Sequence, residues 1–238
     1  MCESESVPVN KLLAALPEAE YQRLVPHLEQ VDLLCEQVLY EPDEPIEVVY
    51  FPTQGMVSLV SILEEGATSE IGVVGREGIV GFPAFLGGNF TTSYAIVQLS
   101  GSAVMLDADI LKREFERGEW LHRLLLLYTQ ALLAQVSQTA ACNSQHGVEQ
   151  RLARWLLSAS DCVEQDELEM TQEFLGNMLG IRRSSVTVAA GLLQKMGAIQ
   201  YRRGKINIVD RAALEAKSCE CYLLVKNEYF RLLGFTRL

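Results

Sequence analysis

The sequence is poor in the residues that covalent chemistry usually needs. Its three histidines, His27, His122 and His146, lie far apart. The six cysteines, Cys2, Cys35, Cys142, Cys162, Cys219 and Cys221, form no Cys-x-x-Cys pair. There is no metal-spaced set of His and Cys, no phosphate-binding glycine loop and no nucleophile elbow. An enzyme is therefore not expected, and neither is a metal or a cofactor. Cys219-Glu-Cys221 is the one close pair, and on a helix those two side chains would point in different directions. Free thiols are the expectation, with a thiol-redox switch through Cys142 or the Cys219/Cys221 pair as the alternative.

Long apolar runs are also missing. The most apolar one, Leu124 to Leu127, is too short to span a bilayer. The opening Met1-Cys-Glu-Ser-Glu-Ser is acidic, with no apolar stretch behind it to make a signal peptide. A cytoplasmic protein that does not engage a membrane is expected.

Positive charge is scarce overall, and the net charge of −11 speaks against a nucleic-acid partner. Its distribution reverses that. Residues 1–110 hold 17 acidic and 3 basic side chains, whereas residues 111–238 hold 14 and 17. Within residues 170–211 only Glu173 and Asp210 oppose Arg182, Arg183, Lys195, Arg202, Arg203, Lys205 and Arg211. A local basic footprint is what nucleic-acid binding requires.

That footprint carries a motif. Met170 to Met196 reads as two short helices and a tight turn. Thr171 can cap the first, Glu173 suits its positive end, and Met170 and Leu175 have the spacing of a hydrophobic staple. Gly180 stops it in a left-handed conformation. The second helix starts near Arg182 or Arg183. Val186, Ala189, Ala190 and Leu193 form its buried side, leaving Arg183, Ser184, Thr187, Val188 and Gly191 outside. An arginine among short side chains suits a helix that enters the major groove. Residues 197–209 then read as a β-hairpin, with Ile199 and Tyr201 alternating with polar neighbours on one arm and Ile206 and Ile208 on the other. Gly204 turns it, and Arg202, Arg203 and Lys205 crowd its tip, placed to hold phosphates.

Thr171, Leu175, Gly176, Leu179, Gly180, Arg183, Ser185 and Val186, followed by the wing, resemble the DNA-binding domain of the Crp/Fnr transcription regulators. The resemblance implies that Arg183 reads guanine. It also implies a different operator, because Ser184 and Val188 stand where the cyclic-AMP-responsive members place a glutamate and a second arginine. The DNA-binding set expected is Thr171, Gln172, Arg182, Arg183, Ser184, Ser185, Thr187, Val188, Arg202, Arg203 and Lys205. Double-stranded DNA and a second copy of the chain are the implied partners, with RNA polymerase as a further candidate.

Upstream, residues 31–110 carry short β-rich runs at 48–51, 56–63, 71–74, 94–99 and 103–106. Pro52, Gly55, Gly66, Gly75 and Gly101 punctuate them as turns. This suggests an antiparallel roll or jelly roll, and it looks like the family's cyclic-nucleotide-binding domain. The family's ligand cassette is altered. Gly81 is kept, Phe82 and Pro83 replace a ribose-binding glutamate and its neighbour, and Thr91-Thr92 replaces a phosphate-binding arginine and its hydroxyl neighbour. Val136-Ser137 replaces the adenine-contacting pair. An effector other than cyclic AMP is expected, the alternative being a rearranged nucleotide pocket that uses Gly81, Phe82, Thr91, Thr92, Val136 and Ser137. Oxygen-sensing relatives hold an iron–sulfur cluster on closely spaced N-terminal cysteines, which Cys2 and Cys35 do not supply.

Leu12, Leu13, Leu16, Leu24 and Leu28 mark helical pieces within residues 10–30. Asp107 or Asp109 can cap a further helix, and a long one follows from Glu119 to Ser144. In the family this long helix is the dimer seam, offered here by Leu124, Leu127, Ala131, Val136 and Thr139, with His146-Gly147 as the hinge after it. Leu214, Tyr222, Val225, Tyr229 and Leu232 make a C-terminal helical stripe, expected to pack on the DNA-binding domain. The expected fold is α+β: an N-terminal sensor roll (1–118), a dimerisation helix and hinge (119–146), and a winged helix-turn-helix with a helical extension (147–238).

Overall fold

The computed structural model describes residues 10–235, so Cys2 lies outside the described residues. Two helices open it, α1 (Lys11–Ala14) and α2 (Glu18–Leu24), followed by one 3-10 turn. Asn10 caps α1 through its side chain, and its amide donates to the carbonyls of Pro52 and Gly78, tying the helix to the sheet.

The sheet comprises β1 (Glu29–Leu33), β2 (Val38–Tyr40), β3 (Val48–Ile62), β4 (Thr68–Val74) and β5 (Tyr94–Asp107). All pairings are antiparallel, in the order β1-β5-β3-β4 with β2 also on β5. Pro52, Gly55 and Gly101 are not turns. They lie inside β3 and β5, at shifts in the register between those two strands. A Cβ on Gly101 would sit 2.2 Å from the Gln54 carbonyl oxygen, and one on Gly55 would sit 2.6 Å from that of Leu99. The glycines mark a bulge where two backbones touch, and a bulge leaves the same signature in sequence as a turn.

A short helix, α3 (Pro83–Leu86), lies between β4 and β5, and α4 (Ala108–Glu116) follows β5, capped by Asp107. The long helix is α5 (Trp120–Gln145). Leu121, Leu124, Leu125, Tyr128, Ala131 and Leu132 bury its inner face in the core of the sheet. His146 and Gly147 break the helix as expected, and α6 (Val148–Val163) begins directly after them.

The second core gathers α6, β6 (Glu167–Glu169), α7 (Gln172–Leu179), α8 (Arg183–Lys195), β7 (Ile199–Arg202), β8 (Lys205–Ile208) and α9 (Arg211–Lys217). Met56, Val60 and Val73 of the sheet belong to this core, so the two regions pack as one body. β6 pairs with β8 and makes the wing three-stranded. Finally, α10 (Cys221–Leu233) packs chiefly along α5 and less on α6, in place of the expected docking on the C-terminal region. Tyr229 meets Tyr128 edge to face at 6.4 Å, and its hydroxyl accepts from Gln135 Nε2 at 2.9 Å. At its start, Tyr222 holds α6 through Asp161.

Candidate nucleic-acid interface and sensor cassette

The reading unit forms as its residues dictate. The Thr171 hydroxyl accepts from the Phe174 amide at 3.1 Å, and Gly180 ends α7 at φ 61°. Gly176 is required for a different reason. A Cβ there would lie 2.9 Å from the Ile181 carbonyl oxygen and 3.4 Å from the Arg183 nitrogen, so only glycine lets α7 approach the start of α8. The Thr187 hydroxyl then donates to Gln172 Oε1 at 2.7 Å and fixes the two helices together.

On α8, Val186, Ala189, Ala190 and Leu193 are buried, and Arg183, Ser184, Thr187, Val188 and Gly191 are exposed. Arg182 is the exposed N-cap and Ser185 is half-buried. Val188 is 64% exposed, an apolar group in the middle of the outward face. The free amides at the start of α8 add partial positive charge to that of Arg182 and Arg183, which favours an anionic partner.

In the wing, Arg203 (φ 49°) and Gly204 (φ 80°) are the two central residues of a tight hairpin turn. Positive φ at both positions is the geometry that matches strand twist. Arg202 and Arg203 are exposed beside the reading helix, which holds the wing through Gln194 Oε1 and the Tyr201 amide at 2.9 Å. Lys205, also at the wing tip, is already paired within the chain. Its ammonium lies 2.6 Å from Glu169 and 3.0 Å from Glu167, because β6 brings two carboxylates to its side.

The sensor cassette carries no cation anywhere from Gly81 to Tyr94. Gly81 has φ 96°, and a Cβ there would meet Val49 at 3.0 Å. Its retention is thus explained by packing. Pro83 is the first residue of α3 and lacks the amide that an anion would use. Phe82 is half-buried against the main core, and Phe85 packs on Phe115 at 5.1 Å. The Thr91 hydroxyl is bonded to that of Ser93 at 3.0 Å, and Thr92 is exposed. On α5, Val136 is half-buried facing Gly72, and Ser137 is exposed.

The expected seam residues divide between two faces. Leu124, Ala131 and Thr139 are buried within the chain itself, so they are not available to a twin; Leu127 and Val136 are half-buried. The outward stripe is instead Leu126, Gln130, Leu133, Ser137, Ala140 and Ser144, all exposed. A helix this apolar has two sides to cover, and α10 together with the sheet covers the one that the sequence pattern marks most strongly.

Residues 30–118 match the model of the cyclic nucleotide-binding domain, and residues 150–217 match that of the Crp-like helix-turn-helix domain. The chain belongs to the Crp/Fnr family of transcription regulators. The fold agrees. FixK2 from Bradyrhizobium japonicum superimposes with a TM-score of 0.69 at 18% identity, covering 81% of this chain and 98% of that one. TTHB099, a CRP-family transcriptional regulator from Thermus thermophilus, gives 0.65 at 20% identity, covering 79% and 96%. CLP of Xanthomonas campestris, a c-di-GMP-responsive global regulator, gives 0.64 at 16% identity, covering 82% and 100%. A search of curated proteins finds no match. Among the described residues of this regulator, no helix is long and apolar enough to cross a membrane.

Sequence reasoning missed one constellation. Cys142 near the end of α5, His146 at its C-cap, Cys219 before α10 and Cys221 at its first residue bring their Sγ and imidazole nitrogen atoms within 4.8 Å of one another. The Cys142 and Cys219 sulfurs are 3.5 Å apart, and Cys221 Sγ is 3.4 Å from His146 Nδ1. No short-range signal could have found it, because the two halves are more than seventy residues apart in the chain.

Proposed function

We propose that this regulator binds DNA as a homodimer and reads a palindromic operator, in response to an effector other than cyclic AMP. One observation carries the reading: Arg183, Ser184, Thr187 and Val188 form one exposed face of α8, with the exposed arginines of the wing tip beside it. Arg183 reads a guanine edge. Val188 makes an apolar contact, for which a thymine methyl is the complementary group. Arg202 and Arg203 hold phosphates. Two copies related by a two-fold axis place their reading helices about 34 Å apart, one turn of DNA, and a palindrome follows from that symmetry.

The effector reading rests on the cassette. A cyclic phosphate facing Thr91 would find no cation between Gly81 and Tyr94, and Pro83 removes a backbone donor at the start of α3. The Thr91 hydroxyl, already bonded to Ser93, is no substitute for a charge-assisted partner.

The test is selection of an operator from random DNA, followed by titration of Arg183→Ala. The expected loss is about 1–3 kcal/mol on the selected site, with relaxed preference at one base pair. Equal loss on selected and random DNA would overturn the assignment of Arg183. Calorimetry with cyclic AMP should show no binding at micromolar ligand, and micromolar affinity would overturn the effector reading.

A further inference from the structure

We infer that Cys142, His146, Cys219 and Cys221 form a closed, tetrahedral site for one Zn²⁺ ion, which clasps the end of α5 to the start of α10 at the hinge. The inference does not rest on the DNA reading. Four groups of the right kind converge: three thiols and one imidazole, three of them buried and the histidine half-buried. Zn–S bonds of about 2.3 Å and Zn–N bonds of about 2.0 Å place ligand atoms about 3.5–3.8 Å apart at the corners of a tetrahedron. The two pairs at 3.5 and 3.4 Å already have that spacing, and the widest separation of 4.8 Å needs closure of about an ångström.

The surroundings fit a metal better than they fit idle thiols. His146 presents Nδ1 to Cys221 Sγ and Nε2 to Glu220 Oε2, 3.3 Å away. A carboxylate on the far nitrogen is the arrangement that orients a ligating imidazole and raises its basicity. Gln138 Nε2 donates to Cys221 Sγ at 3.1 Å, a bond suited to a thiolate. Three thiolates around Zn²⁺ leave one net negative charge, and Arg154 and Arg151 supply positive charge close by. The Arg154 Nε is buried without a hydrogen-bond partner among the described residues. Binding releases the thiol protons to water and forms three Zn–S bonds and one Zn–N bond, with no change of oxidation state. Thiolate-rich coordination favours zinc over hard cations, and four protein ligands leave no open position for catalysis.

The ligands come from both sides of the break at His146-Gly147, so the ion would fix the path of the chain where α5 hands over to α6. The test uses the full-length chain, reduced and stripped of metal, titrated with Co²⁺. One equivalent should give the intense visible bands of tetrahedral cobalt with sulfur-to-metal charge transfer, and Zn²⁺ should bleach them. Cys142→Ser, Cys221→Ser and His146→Ala should each lose these features, whereas Cys35→Ser, an exposed thiol outside the cluster, should keep them. Weak octahedral cobalt bands, or bands unchanged by the three cluster variants, would overturn the site. Should those variants fail to fold, alkylation of the wild-type chain decides it. Zn²⁺ should protect Cys142, Cys219 and Cys221 while Cys35 reacts; equal labelling with and without Zn²⁺ would overturn the proposal. So would a Cys142–Cys219 disulfide in the protein as isolated, or iron with labile sulfide in place of zinc.

Discussion

Trp155 on α6 donates its indole N–H to Glu70 Oε1 on β4 at 2.8 Å, while Ser58 donates to the other carboxylate oxygen at 2.6 Å. The Glu70 side chain is only 5% exposed, so it depends on these bonds. This buried carboxylate joins the N-terminal sheet to α6. Trp155→Phe keeps an aromatic ring against Phe174 but removes the N–H. The expected cost is about 1.5–3 kcal/mol, typical of a hydrogen bond to a charged group. Urea unfolding measures it, and faster amide exchange in β4 and α6 should accompany it. Unchanged stability with unchanged exchange would show that the bond does not hold the two regions together.

The wing arginines and Lys205 should separate experimentally. Among the described residues Arg202 and Arg203 have no acidic partner, whereas hydrogen bonds to Glu169 and Glu167 raise the Lys205 pKa and hold it against β6. Removing a phosphate contact lowers the slope of log affinity against log salt by about one. Arg203→Ala should do this on specific and random DNA alike. Lys205→Ala should change the slope much less, because its charge is already answered within the protein. Equal slopes for the two variants would mean that Lys205 leaves its carboxylates on binding DNA.

Acid should loosen the contact between α2 and the α4–α5 corner. Arg23 donates to Glu114 at 2.7 Å and to Glu119 at 2.5 Å, and Arg117 also donates to Glu114. Burial works to raise the Glu114 pKa, but the bonds and charge of Arg23, with help from Arg117, hold it below the ordinary 4.5. A carboxylate lowered in the folded state contributes stability above its unfolded pKa and loses it as pH falls through the folded value. The wild-type melting temperature should therefore drop from about pH 4.5 downwards. Arg23→Gln should lower it at neutral pH and narrow the difference from wild type in acid. A difference that stays constant with pH would remove Glu114 from this account.

What could be read from the chain beforehand follows the range of the interactions. Thr171, Gly180 and the alternation of Ile206 and Ile208 are local devices, and the cap, the left-handed stop and the hairpin formed where their spacing put them. Gly55 and Gly101 are equally visible, but a turn and a bulge ask the same thing of glycine; only the partner strand tells them apart. Lys205 looked free because Glu167 and Glu169 are distant in sequence, and β6 is too short to announce itself. The resemblance offers Leu124 and Ala131 to a dimer seam, but periodicity reveals an apolar face without revealing what covers it, and here the chain's own core does. The Cys142 cluster depends wholly on α10 returning to α5, a long-range packing event.

The opposite, outward face of α5 is open to a direct test. Leu126, Gln130, Leu133, Ser137, Ala140 and Ser144 recur at alternating steps of four and three residues, the seam spacing of a two-helix coiled coil. Leu133 is 64% exposed and Leu126 is 43% exposed, whereas Leu124 and Ala131 are buried against the sheet core. A homodimer through α5 must therefore use the outward stripe. Leu133→Glu puts like charges near the two-fold axis and buries them without partners, which an interface of this kind does not tolerate. The variant should sediment as a monomer, keep its melting behaviour at the level of the single chain, and bind the selected operator weakly. Leu124→Glu should instead unfold the protein, since its side chain sits in the chain's own core. A Leu133→Glu protein that remains dimeric with full operator affinity would move the seam away from this face of α5.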